Sequence, residues 1–481
     1  MAVIYISAKG EYIKMAEKKD TVKKLKEKLL MQRKNACHLI SDKELKACDK
    51  FCEGYKEFMN KAKIEREAVT YSIELLKKKG FVEFKEGMKL KAGDKIYRCN
   101  RGKAVLAAII GTVPINEGVR LCAAHIDSPR LDLKQNPLYE DTEIALFKTH
   151  YYGGIKKYQW TTIPLALHGV VIKADGTTVP VNIGEDDKDP VFCVTDLLPH
   201  LASAQMQKPM AKGIAGEQLN IVIGSRQFKD DEESGSVKLN IMNILFEKYG
   251  ITEADFISSE LEAVPAFKAK DIGFDRSMVG AYGHDDKVCA YTALIATAEC
   301  KKPKHTVVTV LTDKEETGSD GNTGLRSAYL EYFVADIAEN MGSDVRTVLS
   351  ASECLSADVN AAFDPTFPEV NERNNCAYIN HGVVITKYTG ARGKAGTSDA
   401  SAEFTGRIRR LMDKENVIWQ TGELGKVDEG GGGTVAAYIA NLNVDTIDLG
   451  VPVLSMHAPY EIVSKIDTYM AYRAFAVFMA D

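Results

Sequence analysis

KVCAYTALIATAECKKPKHTVVTVLTDKEE, residues 287–316, sets a helix-forming run ahead of a short, unbroken apolar strand that ends in two adjacent glutamates. A strand apolar on both faces needs helices above and below it, which is the setting of a parallel sheet. The texture continues downstream, with RTVLSA (346–351) and VPVLSM (451–456) reading as strands and TVAAYIANL (434–442) as a helix. The alternation predicts an α/β fold: a mostly parallel central sheet flanked by helices. Glu315 and Glu316 then sit at the carboxyl end of a strand, where such sheets bind ligands, and two like charges held together there require a cation.

Upstream, VRLCAA (119–124) is a further strand, preceded from about residue 85 by short strands and the turn signals KAGDK and CNRGK. Roughly the first 80 residues read as helical. Ser41 and Glu44 have capping-box spacing, and KKKG ends the next helical stretch at Gly80. Between residues 131 and 275 the pattern changes: LALHGVVIKADGTTVPVNIG (165–184) gives two strands about an Ala-Asp-Gly-Thr turn, followed by LNIVIGS and the acidic loop KDDEESGS. This stretch shows few helical runs and is too long for a connection within a core. We read it as an inserted β-rich domain that divides a site-bearing domain into 1–130 and 276–481.

At 481 residues, 45% hydrophobic and 27% charged with a formal net charge of −5, the chain has the composition of a soluble globular protein and lacks the basic footprint of a nucleic-acid binder. No stretch of eighteen apolar residues is present to span a membrane. MAVIYISAKGEYIKMAEKKD has no basic segment followed by an apolar core and a cleavage site. The ten cysteines form no C-x-x-C pairs, and Cys48 and Cys52, four apart on a helix, read as free thiols. The expected location is the cytoplasm.

The ionisable residues fall in one pattern. His125 and Asp127 follow VRLCAA, Glu315 and Glu316 follow TVVTVL, Asp358 follows RTVLSA, and His457 follows VPVLSM. Asp285 and Asp286 open the helix KVCAYTALIATAEC. Alone, each has an ordinary reading: a surface imidazole, a helix cap, or, for Asp358, a rival in Asp364. Together they deliver imidazoles and carboxylates to one sheet edge with no matching cluster of Lys or Arg, and divalent metal is the natural compensation. Imidazole and carboxylate without thiolate suit zinc or a near neighbour. Two His and three carboxylates over-supply one ion, whereas two ions about 3.5–4 Å apart can share a bridging carboxylate. VDEGGGG (427–433) lacks the ending of a phosphate loop, and its glycines read as backbone approaching a substrate at a helix N-terminus.

CAAHIDSPRLDLK, GHDDKVCAYTAL, TDKEETGS, SADVNAAFDP and DLGVPVLSMHAPYE, in that order, closely resemble the aspartyl aminopeptidase and aminopeptidase I family of dinuclear-metal exopeptidases. The resemblance covers essentially the whole chain and implies hydrolysis of the N-terminal residue of small peptides. It assigns His125 and Asp358 to one ion, Glu316 and His457 to the other, Asp285 as the bridge and Glu315 as general base. Asp127 would orient His125 rather than ligate. The ions would be zinc, with manganese or cobalt as alternatives. The resemblance further implies that the inserted domain mediates dimer contacts, that dimers build a tetrahedral dodecamer, and that His168, in TIPLALHG, reaches a neighbour's site to stabilise the oxyanion; its ordinary reading is a His closing a strand. Here Ala361 and Asp364 stand where eukaryotic-type members carry histidines. KYTGARGKAGTSDAS matches the family's substrate pocket only loosely. Arg392 and Lys394 read as surface residues or as partners of an acidic side chain, so acidic and neutral N-terminal residues are both open. A related dinuclear carboxypeptidase or deacylase is the alternative enzyme, and a non-catalytic peptide-binding shell protein the alternative class.

Overall fold

The computed structural model of the protein describes residues 21–231, 233 and 235–481. The reading of residues 1–20, and Glu232 and Ser234 of the acidic loop, lie outside that range. Helices Asp42–Lys61 and Glu65–Lys78 occupy the region read as helical. Ser41 and Glu44 form the expected capping box, each side chain accepting from the other's amide. Cys48, Cys52, Tyr55, Phe58 and Met59 make up the buried face of the first helix. Its stripe follows the 3.6-residue period that lets one face meet a core.

The central sheet has nine strands, ordered Val82–Glu83, Lys95–Asn100, Ala104–Ile109, Thr306–Thr312, Val119–His125, Glu353–Ser356, Asp445–Gly450, Val383–Thr386 and Trp419–Thr421. The four middle strands, Thr306–Thr312 to Asp445–Gly450, are mutually parallel. Antiparallel partners on both sides make the whole sheet mixed. Val119–His125 and Thr306–Thr312 are buried at every position. Alternate residues serve opposite faces: Cys122, Ala124, Val307 and Leu311 pack with helices His284–Glu299 and Lys465–Ala480, while Leu121, Ala123, Val308 and Val310 pack with helix Tyr329–Asn340.

Two strand assignments are corrected. RTVLSA is not a strand: Val345–Ser350 is a helix, capped by Asp344, whose carboxylate accepts from the amides of Arg346 and Thr347, and the strand that leads to Asp358 is Glu353–Ser356. VPVLSM lies outside the central sheet. The central strand there is Asp445–Gly450, and Pro452–Leu454 turns into a separate five-stranded sheet with Lys270–Ile272, Met278–Ala281, Glu461–Ser464 and Asn360–Ala361.

A seven-stranded sheet, antiparallel throughout, is built from strands that run from Arg130–Asp141 to Ser259–Pro265 in the chain. Leu165–Ile172 and Thr178–Ile183 pair about the Ala-Asp-Gly-Thr turn. Trp160, Phe147 and Phe256 lie in its core. The segment also carries a 14-residue helix, Ser236–Tyr249, which the strand-rich reading passed over. Among the described residues no helix is long and apolar enough to cross a membrane, and all ten cysteines are free thiols.

Candidate metal centre

Parallel register sets His125 level with Thr312, so the residues beyond each strand emerge at the same edge. The His125 ring is buried. Its Nδ1 faces Asp127, 3.0 Å from the carbonyl oxygen and 3.3 Å from Oδ1, and so must carry the proton. Its Nε2 stands 3.1 Å from Asp285 Oδ1, 3.8 Å from Glu315 Oε2 and 3.9 Å from Asp358 Oδ1. His457, after the short strand Pro452–Leu454, donates from Nδ1 to the Gly154 carbonyl at 2.7 Å. That leaves its Nε2 facing Asp285 Oδ2 at 3.1 Å and Glu316 Oε2 at 3.4 Å. Three donor sets result, with atoms within 4.8 Å of one another: His125, Asp286 and Asp358; His125, Glu315 and Glu316; Asp285, Glu316 and His457.

Among the described residues no Lys or Arg forms an ion pair with Asp285, Glu315, Glu316 or Asp358; their ion-pair partners are His125 and His457. Burial, reinforced by neighbouring carboxylates, pushes Asp358 and Glu316 well above the usual carboxylate range, and Glu315 up to about 7. Burial alone would raise Asp285 as well, but its hydrogen bonds to the two imidazoles hold it low. Burial works against a charged His457 ring, yet Asp285 and Glu316 outweigh it and raise that ring to about 10. Glu316 Oε1 and both oxygens of Asp286 are buried without a hydrogen-bond partner, a cost that bound cations would remove. Imidazole and carboxylate donors with orphaned oxygens and no thiolate fit a zinc site.

Seven of the eight residues singled out from the sequence meet here: His125, Asp127, Asp285, Glu315, Glu316, Asp358 and His457. Asp127 holds the loop after Thr306–Thr312, accepting the amides of Glu315 at 3.1 Å and Glu316 at 3.2 Å on its two oxygens. His168, on Leu165–Ile172, is engaged elsewhere, its Nδ1 2.7 Å from Glu67 and its Nε2 3.3 Å from Glu185. Asp364 caps its own turn by accepting the Thr366 amide, so Asp358 is the carboxylate delivered to the cluster. Lys394 pairs with Asp399 and Arg392 is exposed. In the glycine run a Cβ on Gly430 would overlap the Leu424 carbonyl, and one on Gly431 would crowd the Gly390 carbonyl, so both positions require glycine where the chain packs on itself.

Three contributors, Glu461, Tyr152 and Gly154, escaped sequence reasoning. Glu461 accepts the His457 amide at 2.7 Å and the Asp285 amide at 3.1 Å, tying both to one carboxylate. Its place four residues after His457 was the only local signal. Asp286, read with Asp285 at the helix start, offers an oxygen to the His125 and Asp358 side. Tyr152 and Gly154 come from the segment read as an insertion, and nothing local marks them.

A family model described as aminopeptidase I zinc metalloprotease (M18) matches residues 58–479. A probable M18 family aminopeptidase 1 of Clostridium acetobutylicum is 53% identical over 459 residues, covering 94% of this chain and 99% of that protein. The crystal structure of an M18 family aminopeptidase from Thermotoga maritima superposes with a TM-score of 0.90 at 44% identity, covering 93% of this chain and 99% of that one. The S. cerevisiae mApe1 dodecamer shares the fold with a TM-score of 0.73 at 21% identity, covering 90% of this chain and 96% of that chain.

Proposed function

The chain belongs to the aminopeptidase I (M18) family of zinc metalloproteases, and from that premise we propose that it removes the N-terminal residue of peptides at a centre of two zinc ions with Glu315 as general base. The observation that carries the two-ion reading is the Asp285 carboxylate, whose two oxygens face two different imidazoles at 3.1 Å each. His125 and Asp358 would hold one ion and Glu316 and His457 the other, with Asp285 facing both positions. Such ions polarise a scissile carbonyl and acidify a water. Manganese or cobalt would satisfy the same donors.

We assign Glu315 the role of base, because Asp285, Glu316 and Asp358 are taken as ligands. The Glu315 carboxylate reaches the His125 side at 3.8 Å, and in the proposed reaction it takes a proton from water and returns one to the leaving amine; in the metal-free chain burial raises it to about 7. Asp127 keeps His125 in its Nδ1-protonated tautomer and fixes the backbone of both glutamates. The carboxylate-rich wall suits the free α-amine of a peptide. A set of aminoacyl-p-nitroanilides with free and acetylated amines tests this: cleavage of the free forms alone supports an aminopeptidase, and cleavage of acetylated forms excludes an obligate aminopeptidase.

We further read residues 131–275 as a dimerisation domain inserted between the halves 1–130 and 276–481, and the protein as a cytoplasmic homo-oligomer whose dimers assemble into a tetrahedral dodecamer. The shared fold with the mApe1 dodecamer and the exposed Leu239, Ile244 and Phe246 on helix Ser236–Tyr249 support the assembly. Ten free thiols support the location. His168 serves a neighbour's site in this reading.

A further inference from the structure

Strand Ile144–Tyr152 belongs to the seven-stranded sheet, yet its end touches both halves of the candidate metal centre. The Tyr152 hydroxyl donates to Asp127 Oδ2 at 2.8 Å, on the carboxylate that also faces His125 and receives the amides of Glu315 and Glu316. Two residues on, the Gly154 carbonyl accepts from His457 Nδ1 at 2.7 Å and so points Nε2 at Asp285 and Glu316. Between them, Gly153 has φ +76°, and a Cβ there would stand 3.2 Å from Glu316 Oε2 and 3.3 Å from Glu316 Cβ. That backbone region favours glycine, and a side chain there would press on Glu316, and on Pro129 Cγ at 3.3 Å, by a few tenths of an ångström.

The segment is itself held firmly. Tyr152 lies opposite Arg130 in the antiparallel register, and the guanidinium stacks 3.9 Å from the centre of its ring. Arg130 is in turn paired with Asp132 at 2.8 Å and with the buried Glu262 at 3.0 Å. A planar cation stacked on a ring and fixed by carboxylates gives the phenol little freedom to swing.

We infer that Tyr152, Gly153 and Gly154 form a positioning segment through which the seven-stranded sheet sets the geometry of both metal positions, Tyr152 acting through Asp127 and the two glycines acting on Glu316 and His457. This rests on the two-zinc reading above. Groups that orient metal ligands through hydrogen bonds typically change metal affinity 10- to 100-fold when removed.

The test titrates zinc into chelator-stripped full-length protein by calorimetry for wild type, His457→Ala, Tyr152→Phe and Gly153→Ala, alongside the melting temperature of each stripped protein. Tyr152→Phe keeps the stack on Arg130 and removes only the hydroxyl, so it should weaken zinc binding about tenfold while the stripped protein melts within about 2 °C of wild type. Gly153→Ala, which meets Glu316 and not His125, should weaken one zinc equivalent and spare the other. Wild-type zinc affinity in both variants, or losses that only track a lowered melting temperature, would overturn the inference. Full zinc binding by His457→Ala would instead remove the two-zinc reading on which it stands.

Discussion

The Nε2 atom of His457 lies 3.1 Å from Oδ2 of Asp285, while the other oxygen of that carboxylate stands equally far from His125. One side chain therefore faces both imidazoles, and the whole centre depends on it.

Asp285→Asn should lose both zinc ions, whereas Asp358→Asn and His457→Ala should each lose only one. Elemental analysis of zinc per chain after dialysis reads the difference. Two ions retained by Asp285→Asn would contradict the shared role given to Asp285.

Zinc affinity should rise with pH. Without metal the His457 ring is held at about 10 by Asp285 and Glu316 against the opposing effect of burial, so at neutral pH it carries a proton that must leave before Nε2 can ligate. Each expelled proton changes affinity about tenfold per pH unit, giving a fall of about a hundredfold between pH 8 and pH 6 for one proton. Calorimetry in two buffers of different ionisation enthalpy counts the protons released; a count of zero would contradict the geometry.

Gly450→Ala should disturb the centre from behind. A Cβ at this position would overlap the carbonyl of Asp358, so the loop carrying that ligand must shift. The expected cost is about 1–3 kcal/mol of stability, with weaker binding of the ion on the His125 side. Denaturant unfolding together with zinc titration measures both.

His168→Ala should lower kcat while leaving zinc content unchanged, if the ring serves a neighbouring subunit. Steady-state kinetics and light scattering on the same sample separate the outcomes. Unchanged kcat with the assembly intact would leave His168 as the buried partner of Glu67 and Glu185 and nothing more.

The central parallel strands and the residues beyond their ends were legible because period and position coincide. HTVVTVLT is apolar on both faces, and the residues after it must emerge at the carboxyl edge beside His125. Legibility failed where local composition misled. RTVLSA carries β-branched residues, but Asp344 caps it into a helix, and the true strand is only four residues long. VPVLSM looks like a core strand, yet the chain has already crossed the central sheet at Asp445–Gly450. Glu461, Tyr152 and Gly154 act through contacts between segments distant in the chain or through backbone groups, and neither leaves a pattern in composition or spacing. The ionisable residues of the cluster, Asp127 included, were therefore readable, and Glu461, Tyr152 and Gly154 were not.

Glu316 faces His457 at 3.4 Å, and the proposed mechanism leaves Glu315 to move a proton. Glu315→Gln measures that division of labour most directly, with turnover of a free-amine aminoacyl-p-nitroanilide and zinc per chain determined on one preparation. Turnover should fall by about a hundredfold or more while zinc stays at two per chain; turnover at the wild-type rate with both ions in place would contradict the general-base role of Glu315.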